Sequence, residues 1–422
     1  MLSAAELWEK NEAGFLQLMR IPSCYDAGSV SEESPYGRPV REAYRYMQLI
    51  CEMAGFVCRE YDHKVFSASY GSGERIDIAS HLDVVEPGDH WSVPPFDALI
   101  RDGCYIGRGA QDMKSGAWAV FLALRAFKES GITPRREFRL VYGTDEERTM
   151  EDMKTYVARE GLPAFAFTPD CEFPMYCGEK GAIMWTLSGR YTGRIRRLEA
   201  GIQCNVIPPA AGAILADGEE IRCEGRSAHA SRPEAGHSAT ADLLRILAER
   251  LPEDDVIRRL QGFFGDPYGE GAGIAADDPV MGKLTLNLGR LTITESGELS
   301  AQIDVRYPGS VTSEEIFARF RSVFPDLSPA MPYDDRPTHT DPELPQVRAL
   351  REAYREVTGH ECRPTVSGGV SYAKVLGNCV TFGPVPEDHV RLAHQRDEYI
   401  TREACVQAVD IYYRAILKLN EL

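Results

Sequence analysis

Apolar residues first recur at helical spacing: Leu7, Phe15 and Leu18 stand among Glu and Lys between Ala4 and Leu18, which predicts an amphipathic helix ending near Ile21-Pro22. From Arg75 to Pro174 the pattern changes to short apolar runs, Ile76 to Ala79, Phe138 to Tyr142 and Ala164 to Phe167, separated by helix-like stretches such as Ser115 to Lys128. Strand and helix in alternation predict a largely parallel α/β sheet. Between about Trp185 and Tyr333 strand-like runs at Ile214 to Cys223, Lys283 to Leu291 and Glu298 to Tyr307 interleave with two amphipathic helices, Ala239 to Leu251 and Ser313 to Val323. A few strands and two helices suit a small α+β unit. The polar, Pro-rich stretch Ser328 to Pro345 is expected to be a linker, after which helix Gln346 to Thr358 and the run Val380 to Phe382 return to the first style. The expected organisation is therefore a discontinuous domain, 1–184 and 334–422, carrying an inserted domain, 185–333.

Composition narrows the function. At 422 residues and 43% apolar, the chain can bury two cores. No stretch reaches the roughly 18 consecutive apolar residues of a membrane span, and the start, MLSAAELWEKNEAGF, is too acidic and polar for a secretory signal, so a cytoplasmic location is expected. The eleven cysteines form no CxxC pair, as expected in a reducing compartment. A formal charge of −17 argues against nucleic acid and anionic membranes as partners. The densest basic run, Arg194, Arg196 and Arg197, has only Tyr191 as a nearby aromatic and reads as a solvated turn.

Candidate chemistry collects where the predicted strands end. RIDIASHLDVV ends a strand with His81 and Asp83, RLVYGTDEE with Asp145, Glu146 and Glu147, and AFAFTPD with Asp170. In an open α/β sheet ligands bind at the carboxyl ends of the strands. A single carboxylate there is more often a helix cap or a solvated loop residue; three strand ends together point to a site. His81 and Asp83, two apart, face one side of an extended segment, which lets Asp83 orient the ring. Glu146 and Glu147 point different ways, so one can bind metal while the other reaches a water, the division that metal-assisted hydrolysis needs. Asp112, in the Gly-rich turn GRGAQDMKSG, and His394, in RLAHQRDEYI, are further candidates, whereas His63, His90, His237, His339, His360 and His389 read as surface residues.

Together the motifs SHLDVV, GRGAQDMKSG, GTDEE, TPDCEFP and AHQRDEYI resemble, in order and over nearly the whole chain, the dinuclear-zinc exopeptidases and amidohydrolases. That family includes aminoacylases, succinyl-diaminopimelate desuccinylase and the bacterial PepV-type dipeptidases. TPDCEFP, GAGIAADDPVMGKLTLNLGRL, SGGVSYAKV and the QRDEYI ending look most like the PepV-type branch. The resemblance implies a phosphorylase/hydrolase-like catalytic domain with a mixed, mostly parallel sheet, and an inserted ferredoxin-like α+β lid or dimerisation domain. It implies two Zn²⁺, with Mn²⁺ or Co²⁺ as alternatives: His81 and Asp170 on one, Glu147 and His394 on the other, Asp112 bridging, Asp83 orienting His81 and Glu146 as general base. CNVIPP, GRSAHASRPEAGHSA and IDVRYP match substrate-facing segments, which points to Asn205, His229 as oxyanion stabiliser and Arg306 as a carboxylate fork, with backbone N–H groups around Gly368 and Gly369. Two departures bear on substrate: the insert is shorter than in PepV-type enzymes, and Ser238 stands where Asn is common.

The implied activity is hydrolysis of the amide bond of dipeptides with a free carboxylate, by a monomer or by a homodimer formed through the insert. The competing readings are a deacylase acting on N-acyl amino acids or succinylated diaminopimelate, a metal-dead binding protein, and a thiol enzyme built on one of the cysteines. Cys171 and Cys177, close to Asp170, are expected to line the wall.

Overall fold

The computed structural model describes residues 2–329 and 333–422, which divide into two compact units. Unit 1 is Met1–Cys177, His339–Thr365 and Ser371–Leu422, and unit 2 is Gly178–Thr338 with Val366–Val370.

The chain opens with α1 (Ala4–Arg20), capped by a box in which Ser3 and Glu6 satisfy each other's backbone N–H groups. Then come α2 (Arg38–Met53), β1 (Val57–Tyr61), β2 (Val65–Gly71), β3 (Arg75–His81) and a hairpin of β4 (Leu99–Arg101) and β5 (Cys104–Ile106). They are followed by α3 (Lys114–Glu129), β6 (Glu137–Gly143), α4 (Glu151–Glu160) and β7 (Phe165–Thr168). Unit 2 contributes β8 (Gly181–Arg190), β9 (Ile195–Ala200), β10 (Ala210–Leu215), β11 (Glu220–Glu224), α5 (Ala239–Arg250), α6 (Asp255–Phe264), β12 (Thr285–Ile293), β13 (Glu298–Tyr307) and α7 (Ser313–Val323). The chain returns to unit 1 as α8 (Pro345–Thr358), β14 (Cys379–Thr381), β15 (Tyr399–Thr401) and α9 (Arg402–Glu421).

The main sheet of unit 1 contains the strands in the order β1-β2-β6-β3-β7-β14. β6, β3, β7 and β14 run parallel, while β1 and β2 join antiparallel, so the sheet is mixed around a parallel centre. The parallel strands are buried throughout, which is why they read as continuous apolar runs rather than alternating ones. β3 lies between β6 and β7, and its last residue, His81, pairs with Gly143 at the end of β6. A second small sheet, β15-β5-β4, pairs Tyr399 with Ile106.

The main sheet of unit 2 is antiparallel and contains the strands in the order β11-β10-β9-β12-β13-β8. Leu243, Leu244 and Leu247 of α5, Ile257, Leu260 and Phe263 of α6, and Ile316 and Phe320 of α7 form one core with Trp185, Leu286, Ile303 and Val305 of the strands. Two sequence expectations change here. The run Ile214 to Cys223 is two strands joined by a turn in which Gly218 has φ 89°, a conformation an Asp-Gly pair supports. A helix not expected, α6, begins at Asp254, whose side chain accepts the Ile257 N–H.

Of the stretch expected as a linker, Ser328 to Pro345, residues 330–332 lie outside the described ones. On either side the chain is strand rather than loop: Ser328 pairs with Ser188, and Asp334 and Asp335 with Ile183 and Ala182 of β8. Among the described residues no helix is long and apolar enough to cross a membrane.

Candidate metal centre and substrate segments

In unit 1 the ends of three parallel strands and two loops bring histidines and carboxylates together. His81 is fully buried at the end of β3. Its Nδ1 lies 2.9 Å from the Asp83 carbonyl oxygen, an arrangement that assigns the proton to Nδ1 and leaves Nε2 as the ligand atom. That Nε2 is 2.9 Å from Asp112 Oδ1 and 3.6 Å from Asp170 Oδ1. Orientation of the ring by Asp83 thus comes chiefly through its backbone, since the carboxylate stands 3.5 Å from Nδ1. The Asp83 side chain accepts the N–H groups of Glu147 at 3.1 Å and Glu146 at 3.4 Å instead, tying the ends of β3 and β6 together.

On the far side of Asp112, His394 Nε2 is 3.0 Å from Asp112 Oδ2 and 3.0 Å from Glu147 Oε2. Two ligand triads result, His81–Asp112–Asp170 and Asp112–Glu147–His394, and the ligand atoms of each lie within 4.8 Å of one another. Each oxygen of Asp112 serves a different triad. Glu146 belongs to neither.

The electrostatics suit cations. Burial and then the charge of Asp112 push the Glu147 carboxyl up to about 7, and burial and then Asp170 drive Glu146 well above the carboxylate range. Burial also raises Asp170, with His81 opposing it. For Asp112 burial works against ionisation, but its hydrogen bonds to His394 and His81 hold it well below the usual value. Four carboxylates this close cannot all ionise without a compensating charge. Divalent cations would supply it, and the mixed imidazole and carboxylate donors fit zinc, manganese or cobalt.

Three residues that support the loops were not singled out from sequence. Asp152, in the first turn of α4, is buried and accepts the N–H groups of Thr144 at 2.5 Å and Asp145 at 2.9 Å and the Tyr372 hydroxyl at 2.5 Å. A Cβ on Gly143 would overlap both Tyr372 Oη and Asp152 Oδ2, so the strand end needs glycine. Glu398, also buried, accepts from Arg108 Nη1 (2.7 Å) and from the N–H groups of Gly109 (3.1 Å), Gln111 (2.7 Å) and Asp112 (3.1 Å). The Gln111 carboxamide in turn donates to the Val390 and Tyr399 carbonyls, both at 2.9 Å, and accepts the Leu392 N–H at 2.8 Å. The only sequence signals were a Glu four residues past His394 and a Gln beside Asp112.

The remaining sequence candidates all fall in unit 2. The Asn205 carbonyl accepts the Ala230 N–H at 2.9 Å, and Val206 bridges His229, which sets Asn205 and His229 side by side. His229 is exposed, with Nδ1 2.8 Å from Ser231 Oγ. Arg306 is buried rather than on the surface: Nε and Nη2 fork onto Asp304 at 3.0 and 2.7 Å, and Nη1 donates to the Gly368 carbonyl at 3.0 Å. The expected backbone anion nest is also altered, because Gly368 offers Arg306 its carbonyl and the Gly369 N–H donates to Ser367 Oγ at 2.9 Å. A Cβ on Gly368 would overlap Ser231, so this turn and the His229 loop lie in contact.

None of the eleven cysteines forms a disulfide among the described residues. Burial pushes the thiols of Cys171 and Cys177 up to about 12, which leaves them protonated and poor nucleophiles.

The profile of peptidase family M20/M25/M40 matches residues 78–418. The Bacillus subtilis (strain 168) protein named "Putative dipeptidase YtjP" is 30% identical over 445 residues, covering 96% of each chain. A Staphylococcus epidermidis protein named "Putative dipeptidase" is 29% identical over 446 residues, covering 95% of each. Among solved structures, human carnosine dipeptidase 1 shares the fold with a TM-score of 0.66 at 13% identity, covering 99% of this chain and 98% of that one. Aminoacylhistidine dipeptidase from Vibrio alginolyticus does so with a TM-score of 0.62 at 14% identity, covering 98% and 96%. The chain belongs to peptidase family M20/M25/M40 and is a metallopeptidase.

Proposed function

We propose that this protein is a zinc-dependent dipeptidase with two metal ions, in which unit 1 performs the hydrolysis and unit 2 recognises the substrate. The observation that carries the reading is the sharing of Asp112 between two triads. His81, Asp112 and Asp170 would hold one ion and Asp112, Glu147 and His394 the other; Mn²⁺ or Co²⁺ would suit the same donors. When bound, the ions polarise the scissile carbonyl and make water acidic enough to be deprotonated near neutral pH.

Glu146 is the general base in this reading. It lies beside the ligands without belonging to either triad, where it can take a proton from the attacking water and hand it to the leaving amine. Asp83 fixes both the His81 ring and the backbone of Glu146 and Glu147. In unit 2, His229 is assigned to the developing oxyanion, and Asn205, Arg306 and the Gly368–Gly369 turn to the substrate's free carboxylate. The Asp304 pairing leaves Nη1 as the part of the Arg306 guanidinium pointing away from the carboxylate it already holds. Eleven cysteines without a disulfide suit a cytoplasmic enzyme. The relatives named dipeptidases, similar over nearly the whole chain, favour dipeptides over N-acyl amino acids.

The test is elemental analysis of the purified protein with a hydrolysis screen of free dipeptides against N-acetyl and N-succinyl amino acids. Two metal ions per chain and dipeptide turnover abolished by chelation are expected. Turnover of acylated amino acids alone would replace the dipeptidase reading, and no metal and no turnover after zinc is restored would end it.

A further inference from the structure

The two triads are built on unequal foundations. His81 closes a strand with neighbours on both sides, and Asp170 follows directly on the next parallel strand. His394 has neither support. It sits in a loop with its side chain 55% exposed and its backbone at φ 64°, and Asp397 in the same loop has φ 55°. Non-glycine residues in the left-handed region persist only where the surroundings hold them there.

What surrounds this loop is a reciprocal clasp. The segments 107–112 and 390–398 leave the same end of a paired β5 and β15, with Tyr399 opposite Ile106. The Glu398 carboxylate reaches from the His394 loop to three consecutive-region N–H groups, Gly109, Gln111 and Asp112, and to Arg108. The Gln111 carboxamide reaches back, with both donors and its acceptor used on Val390, Tyr399 and Leu392. Glu398 therefore holds the loop of the shared ligand, and Gln111 holds the loop of His394.

We propose that Gln111 and Glu398 are positioning residues for the metal ion on the Glu147–His394 side, and that Gln111 sets occupancy of that side without governing the His81–Asp170 side. The proposal rests on the two-metal reading above and goes beyond its ligand set. The physical reason is that the Gln111 carboxamide spends its hydrogen bonds on the chain to both sides of His394, at Val390, Leu392 and Tyr399.

The experiment is an equilibrium titration of the metal-free protein with Zn²⁺ against a chromophoric chelator, run on the parent, Gln111→Ala and Gln111→Met. The second variant keeps side-chain volume while removing all three hydrogen bonds, so that a folding failure of the first does not decide the matter. Thermal unfolding of the metal-free proteins and kcat and KM at varied zinc accompany it. Expected in the variants is one affinity weakened about 10- to 100-fold, the usual effect of losing an outer partner of a ligand, with the other unchanged, metal-free melting close to the parent, and kcat recovering at high zinc with KM unaltered. A parent that binds two ions while the variants lose both sides equally, or neither, overturns the clasp alone. A parent that binds fewer than two overturns the two-metal reading and the clasp with it.

Discussion

His394 Nε2 lies 3.0 Å from Asp112 Oδ2, a pairing of two loops widely separated in sequence. Because the other oxygen of Asp112 faces His81, this carboxylate is common to both triads. Asp112→Ala is therefore expected to strip metal from both sides, and Asp170→Ala from one. Metal per chain by elemental analysis after dialysis distinguishes them. Equal losses in the two variants would contradict a shared ligand.

Glu146 belongs to neither triad, so Glu146→Gln should keep the parent's metal content. Loss of a positioned general base costs about 10²- to 10⁴-fold in rate. The fall is expected in kcat with KM little changed, measured on a dipeptide at saturating zinc. Metal lost together with turnover would show that Glu146 is a ligand.

Arg306 and Asp304 form a buried pair, which makes a single substitution hard to read. Arg306→Ala strands the Asp304 carboxylate and is expected to cost about 3–5 kcal/mol, as for other broken buried pairs. Removing both charges, Arg306→Met with Asp304→Asn, should recover most of that loss in urea unfolding. The substrate role is then tested on the double variant: a raised KM for free dipeptides but not for amidated ones is expected. If the double variant is no more stable than Arg306→Ala, the pair is not what holds this strand.

Asp77 gives a pH signature away from the metal ligands. Burial, opposed by Arg75, pushes its carboxyl from 3.8 up to about 6 in the folded protein. The folded state therefore holds a proton that the unfolded chain has released between those pH values, and stability falls as pH rises through them. Asn mimics the neutral acid. Asp77→Asn should match the parent near pH 4 and gain on it up to about pH 6, by about 1–3 kcal/mol in all, since each pKa unit corresponds to about 1.4 kcal/mol. A stability difference that is flat with pH in denaturant titrations would contradict this.

The mixed α/β fold was legible because buried parallel strands leave apolar runs, as RIDIASH, RLVYG and FAFT do, each with an acidic residue within two positions of its end. The motif order likewise pointed to the family. Less was readable where a feature depends on contacts across the chain. Glu398 and Asp152 look like any exposed acid in sequence, since only the folded loops enclose them. Burial of Arg306 depends on Asp304 two residues away on the same strand, a pairing that the motif IDVRYP does not disclose, since it marks Arg306 only as a carboxylate fork. The hairpin turn at Asp217-Gly218 and the cap at Asp254 are local signals, an Asp-Gly pair between two strands and an Asp three residues before Ile257.

The division of the chain also bears on synthesis. Unit 2 is complete but for one short turn once residue 338 has been made, whereas the parallel centre of unit 1 still lacks β14 and the metal centre still lacks His394. During translation residues 178–338 therefore emerge while the sheet of unit 1 still has an open edge beside β7. In the growing chain, the last part of the molecule to be translated closes both the hydrophobic edge and the ligand set, so no truncated product holds a full metal centre.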